Sequence, residues 1–180
     1  LEPLALDWRR GSAASSFDAR SRTVALVSGE TITGDGVIIA TGGRARTLPT
    51  VPMVPGVHVL RTLADANALR ADITPGSRLV VIGAGFIGLE AAATATQLGA
   101  TVTVLEGAPA PLIRGLGAQM GTAIAGVHAR NGVDVRCGVS VEGIEHDSRV
   151  RAVLLAGGER VEADAVLVGI GVTPATQWLE

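Results

Sequence analysis

Short apolar runs broken by polar turns occupy the first forty residues. SSFD (15–18), TVALV (23–27) and GVIIAT (36–41) carry the β-branched and apolar residues of strands, while ARS and SGETITGDG between them carry turn formers. A small antiparallel element is expected there. Pro49, Pro52, Pro55 and Gly56 then prevent regular structure, and a domain boundary is placed near residue 52. Beyond it the period of the pattern switches back and forth. VHVL (57–60) reads as a strand, and Thr62 with Asp65 three residues on forms a capping box for a helix through about Ala71. RLVVI (78–82) is the continuous apolar run of a buried strand. An Ala-rich helix to about Leu98 follows, stopped by Gly99, and TVTVLE (101–106) is a second buried strand. A helix from about Leu116 to Arg130 ends at Asn131-Gly132, before the strand VDVRC (133–137). Strands alternating with helices over short connections predict a parallel sheet covered by helices. From Val139 to Val168 only strands remain: VRAVLLA and ERVEADAVLVGI, either side of Gly157-Gly158, predict an antiparallel meander that feeds back into the sheet.

Composition narrows the picture without deciding it. The chain has 180 residues, 47% of them hydrophobic and 18% charged, enough for a substantial core. Fifteen basic and 17 acidic side chains leave a net charge of -2, with no long basic run and only four aromatic residues, which argues against nucleic acid as a partner. No apolar run approaches the roughly 18 residues of a membrane helix, and LEPLALDWRR lacks the basic-then-apolar order of a signal peptide, so a cytoplasmic location is expected. The single Cys137, within a strand-like run, is expected to be a small buried hydrophobe. His58, His128 and His146 have no partners at ligand spacing, and no metal is expected.

The chemistry concentrates in LVVIGAGFIGLE (79–90). Gly83, Gly85 and Gly88 stand at G-x-G-x-x-G spacing, which in a chain with 24 glycines is informative only through its neighbours. Those neighbours fit a Rossmann-like α/β domain. Gly83 closes the strand with a tight turn, Gly85 leaves room for a pyrophosphate, and Gly88 lets the helix lie against the sheet. The helix N-terminus, with Phe86 and Ile87 as backbone donors, offers N–H groups and a partial positive charge to phosphate. Glu106 ends the next strand, 18 residues after Gly88, where an acid accepts hydrogen bonds from the adenosine ribose. Its charge opposes a 2′-phosphate, so NAD is expected over NADP. Arg114 is a candidate for the adenosine end of the same site.

Taken in order, ATGGRARTLP, GVHVLRTLADANALR, VVIGAGFIGLEAAA, VTVLE and VLVGIGVTPA resemble the middle of the FAD-dependent pyridine nucleotide oxidoreductases, in particular the bacterial NADH:ferredoxin reductases. The resemblance implies an NAD-binding domain over 52–171 inserted into an FAD-binding domain, of which 1–51 and 172–180 are flanking segments. It implies hydride transfer from NADH to FAD and electron delivery to a ferredoxin-like carrier. It assigns Ala40, Thr41, Gly42 and Arg46 to the FAD side, Glu90 to the vicinity of the nicotinamide, and Gly169, Ile170 and Gly171 to the loop lining the nicotinamide side. Ala45, Ala110 and Ala175 depart from the family's usual Pro, Arg and Asn. The family's own FAD-phosphate glycine motif is not in the chain, so the chain alone is expected to be inactive. A non-catalytic NAD-binding or sensing module is the alternative.

Overall fold

The computed structural model describes residues 6–179; residues 1–5, on which the reading of the N-terminus partly rests, lie outside them. The chain divides into two compact units, one of residues 1–43 and 174–180, the other of residues 44–173.

The first unit is an antiparallel sheet of β1 (Ala14–Asp18), β2 (Thr23–Leu26) and β3 (Thr31–Thr33), with a short 3-10 turn at Gln177–Leu179. Asp18 shapes the β1–β2 turn by accepting from the N–H of Arg20 (2.8 Å) and the hydroxyl of Ser21 (2.7 Å). Two expectations are corrected. The third strand is not GVIIAT but TIT, within the run read as a turn, and residues 36–41 have no strand structure, with Ile38 93% exposed. The reason is pairing: a continuous apolar run becomes a strand only between neighbours, and among the described residues β2 already has partners on both edges.

The second unit begins at β4 (Gly43–Ala45), whose last two residues belong to it, and continues through β5 (Val57–His58) and α1 (Leu63–Asp72). Next come β6 (Arg78–Ile82), α2 (Phe86–Gln97), β7 (Thr101–Glu106), α3 (Ile113–Arg130) and β8 (Val133–Cys137). The meander is β9 (Val141–His146), β10 (Val150–Leu155) and β11 (Arg160–Glu162), followed by β12 (Ala165–Val168) and β13 (Val172–Pro174). A five-stranded sheet, all parallel, has the order β5-β12-β6-β7-β8. The antiparallel meander expected after Val139 forms as β9–β11, and the chain returns from it into the parallel sheet as β12; the meander itself is a separate sheet.

Period-two alternation sorts the central strands between two cores. Leu79, Val81, Val102, Val104 and Leu167 face the helices; Val80, Ile82, Leu105, Val166 and Val168 face the meander with Val150 and Val153. Both faces are dry, so β6 and β12 read as unbroken apolar runs rather than as alternating ones. The capping box of α1 forms as expected: the Asp65 N–H donates to Thr62 Oγ1 (3.1 Å), and the Thr62 N–H donates to the Asp65 carboxylate (2.8 Å). Gly99, at φ +90°, ends α2.

Three local readings are corrected. ERVEADAVLVGI is two strands, β11 and β12, because Asp164 between them accepts hydrogen bonds from the N–H and guanidinium of Arg78 and turns the chain into the parallel sheet. Helix α3 starts at Ile113, three residues before Leu116, with a break at Gly117 (φ 76°). Cys137 is half-buried rather than buried, since β8 is the edge of the parallel sheet.

Candidate functional site

The site lies where the strands of the second unit end. Gly83 turns the chain out of β6 at φ +102°, and a methyl carbon there would stand 2.6 Å from the carbonyl oxygen of Gly169. At Gly88 it would stand 2.2 Å from the carbonyl oxygen of Gly83, so only hydrogen fits between helix and turn. Both positions are closed by the protein's own backbone. Gly85 is different: its φ of −78° suits any residue, and the nearest atom to a methyl carbon would be the Gly169 oxygen at 4.0 Å. Open space meets it, and the first turn of α2 follows with no side chain capping its N-terminus. Free helix N–H groups beside space kept open by a missing Cβ are chemically able to receive an anion.

A cleft of about 870 Å³ runs over this turn. Gly83, Gly85, Phe86 and Ile87 line it from the turn and the start of α2, and Glu106 lines it from the end of β7. Arg114 contributes from the first turn of α3, and Gly169, Ile170 and Gly171 from the segment after β12. Nine of the sequence-predicted residues thus share one cavity, and Gly88 lies directly beneath it. The order β12-β6-β7 puts the three contributing strand ends side by side. Glu90 does not face this cleft. It is the fifth residue of α2, one past the first turn, and is exposed on a second cavity of about 520 Å³ between α1 and α2, to which Ile87 also contributes. In the first unit, the Thr41 hydroxyl donates to the Ala175 carbonyl (2.7 Å) and the Ala175 N–H to the Gly42 carbonyl (3.0 Å). Arg46, in the second unit, donates its backbone N–H to the Gly171 carbonyl at 3.0 Å.

Glu106 is held by the backbone on both sides. One carboxylate oxygen accepts from the N–H of Ala84 at 2.7 Å and the other from the N–H of Ala108 at 2.8 Å. The Ala84 carbonyl in turn accepts from the N–H of Leu112 at 3.1 Å. Leu112, at φ 53°, is one of two non-glycine residues in the left-handed region among the described residues. Neither Ala84 nor Leu112 carries a sequence signal, since each acts through its main chain. Gly121 did carry one: it stands four residues after Gly117 and is buried in α3, where a methyl carbon would meet the Pro111 carbonyl at 2.1 Å. It seats α3 against the loop that follows β7. The Cys137 thiol, register neighbour of Glu106, is pushed up from its ordinary pKa by burial first and by the Glu106 charge second. Among the described residues no group of three or more His, Cys, Asp or Glu gathers to hold a metal ion, and no helix is long and apolar enough to cross a membrane.

The family described as pyridine nucleotide-disulphide oxidoreductase matches residues 4–180. The chain is 41% identical over 174 residues to the ferredoxin reductase component of chlorobenzene dioxygenase from Cupriavidus sp., covering 96% of this chain and 42% of that protein. It is 43% identical over 161 residues to rhodocoxin reductase from Rhodococcus erythropolis, covering 88% of this chain and 38% of that one. Among solved structures, a covalent putidaredoxin reductase–putidaredoxin complex matches with a TM-score of 0.83 at 36% identity, over 93% of this chain and 42% of that one. The chain therefore spans about two fifths of the length of these curated relatives.

Proposed function

Because the chain belongs to the pyridine nucleotide-disulphide oxidoreductase family, we propose that it is the NADH-binding portion of a flavoprotein reductase that passes hydride from NADH to FAD and electrons to a ferredoxin-like carrier. The observation that carries the reading is the open space above Gly85 at an uncapped helix N-terminus, one strand away from a carboxylate at the end of β7. A dinucleotide needs both, at that separation. NADH, when bound, supplies a hydride at its nicotinamide ring for the flavin to accept.

The chain's own residues hold the dinucleotide. The N–H groups of Phe86 and Ile87, with the dipole of α2 behind them, bind the pyrophosphate. Glu106 accepts from the adenosine ribose with the lone pairs that Ala84 and Ala108 leave free, since each carboxylate oxygen offers two. Arg114 covers the adenosine end, and Gly169, Ile170 and Gly171 line the nicotinamide side. Glu90, which the resemblance assigns to the vicinity of the nicotinamide, lines the neighbouring cavity between α1 and α2, and Ile87 contributes to both cavities. Residues 52–171 are the NAD-binding domain in this reading. Residues 1–51 and 172–180 are segments of the FAD-binding domain, with Ala40, Thr41, Gly42 and Arg46 toward FAD. The described residues of the first unit contain no parallel strand, glycine turn and helix, so by themselves they do not fit a flavin pyrophosphate. The ferredoxin-like partner is proposed from the relatives' names, and a cytoplasmic location goes with NADH as reductant.

The test is to titrate NADH into the purified 180-residue chain, record its visible spectrum after incubation with FAD, and assay NADH oxidation with ferricyanide. Saturable NADH binding without retained flavin or turnover is expected. Failure to bind NADH removes the reading, and a yellow, active preparation removes the division of labour.

A further inference from the structure

We propose that Glu106 also acts as a positioning residue, one that pins the pyrophosphate turn to the loop after β7 before any nucleotide arrives; this rests on the NADH-site reading above. Two hydrogen bonds to its carboxylate, with two more between main-chain groups beside it, tie the turn to the loop. The N–H of Gly83 donates to the Leu105 carbonyl (2.7 Å), the N–H of Ala84 to one Glu106 oxygen (2.7 Å), the N–H of Ala108 to the other (2.8 Å), and the N–H of Leu112 to the Ala84 carbonyl (3.1 Å). The turn between β6 and α2 is thus tied to the stretch 105–112 on both sides of Ala84, and both charge-assisted bonds converge on one side chain.

The need for such a pin is local. The turn sits at the open mouth of the sheet, Gly85 brings no side chain to pack, and no side-chain cap fixes the start of α2. Across the cleft the loop has its own demand, since Leu112 occupies the left-handed region at φ 53° and costs free energy unless its surroundings hold it. A carboxylate suits the pin because both of its oxygens accept, whereas an amide of the same shape offers one acceptor and one donor. Its partners are two backbone N–H groups, so Gln in this position meets one of them donor to donor. The charge that rejects a 2′-phosphate and the geometry that shapes the phosphate cradle therefore reside in the same atoms. Cofactor preference cannot be rewritten at position 106 alone without loosening the cradle.

Two readouts on the 180-residue chain test this. The first is amide hydrogen exchange in the absence of ligand, read by NMR for Ala84 and Ala108 in the parent and in Glu106→Gln. One of the two amides is expected to lose at least about tenfold in protection, as the loss of one charge-assisted bond implies, while the other, left with a neutral acceptor, loses less. Unchanged protection of both amides overturns the proposal. The second readout separates pinning from ribose contact, using NADH and the reduced dinucleotide whose adenosine ribose lacks both the 2′ and 3′ hydroxyls. If Glu106 acts only through the hydroxyls, parent and variant bind the dideoxy ligand equally, and the proposal fails. With a pin, the variant binds it about tenfold or more weakly than the parent does. A chain that binds neither ligand but shows the exchange difference refutes the functional reading and supports the pin. Glu106→Ala serves as a second variant in which both amides lose protection.

Discussion

Gly85 and Gly88 lie three residues apart in the same turn, yet the structure assigns them opposite consequences on substitution. Take Gly88→Ala first. On helix propensity alone Ala stabilises an interior helical position by roughly 1 kcal/mol. Here the new methyl carbon would be 2.2 Å from the Gly83 carbonyl oxygen and 3.2 Å from Val81 Cγ1, where even 3.0 Å is closer than side chains approach. Helix and turn must part by nearly an ångström in a region where Val81 and Ala92 are fully buried. Overpacking of that kind costs about 1–3 kcal/mol and against backbone falls at the upper end, so a net loss of about 2 kcal/mol is expected. For a unit of this size that lowers Tm by roughly 5–10 °C. Gly85→Val meets no atom nearer than 4.0 Å to its Cβ and keeps a φ of −78° that Val tolerates, so stability should move by less than about 1 kcal/mol. Its isopropyl group fills the space proposed for the pyrophosphate, and NADH affinity should fall by about a hundredfold or more. Thermal and urea denaturation of both variants, with NADH titrated by fluorescence, check the pair. A Gly85→Val chain that binds NADH as well as the parent refutes the site, and a Gly88→Ala chain as stable as the parent refutes the packing.

The parent should prefer NADH to NADPH by about tenfold or more, the scale of one unscreened charge repulsion, and Glu106→Ser should narrow that ratio while weakening NADH itself; equal affinities of the parent for both would move Glu106 away from the ribose. The guanidinium of Arg78, and after it the Arg78 N–H, hold Asp164 below the usual carboxylate range, so its contribution to stability is present above the unfolded pKa of about 4, begins to fall below it, and is gone only once pH has fallen through the lower folded pKa. Asp164→Asn should accordingly lower Tm at pH 7, and the difference from the parent should shrink progressively as pH falls below about 4, a trend that melting curves over a pH series decide. The Cys137 thiol, raised by burial and by Glu106, should react with iodoacetamide at pH 8 more slowly than the same residue in the urea-unfolded chain, as mass spectrometry of quenched samples will show.

What the sequence determined by itself was whatever depends on neighbours along the chain. The capping box at Thr62 and Asp65, the stop at Gly99, the apolar runs RLVVI and TVTVLE and the glycine spacing all follow from local sterics and hydrogen bonding, and each stands in the structure at or within a few residues of its expected place. The resemblance in five ordered motifs likewise needed no coordinates. Tertiary structure decided what depends on partners distant in sequence. GVIIAT has strand composition and yet no strand, because a strand is defined by its neighbours, while the exposed TIT gains one from β2. ERVEADAVLVGI looked continuous until Arg78, 86 residues away, claimed Asp164. Glu106 could be read as a ribose ligand from its place at a strand end, but its grip on Ala84 and Ala108 is a main-chain geometry that no side-chain pattern encodes. Folding brings the ends of β6, β7 and β12 together, and only there do three glycines, a helix terminus and a carboxylate become neighbours.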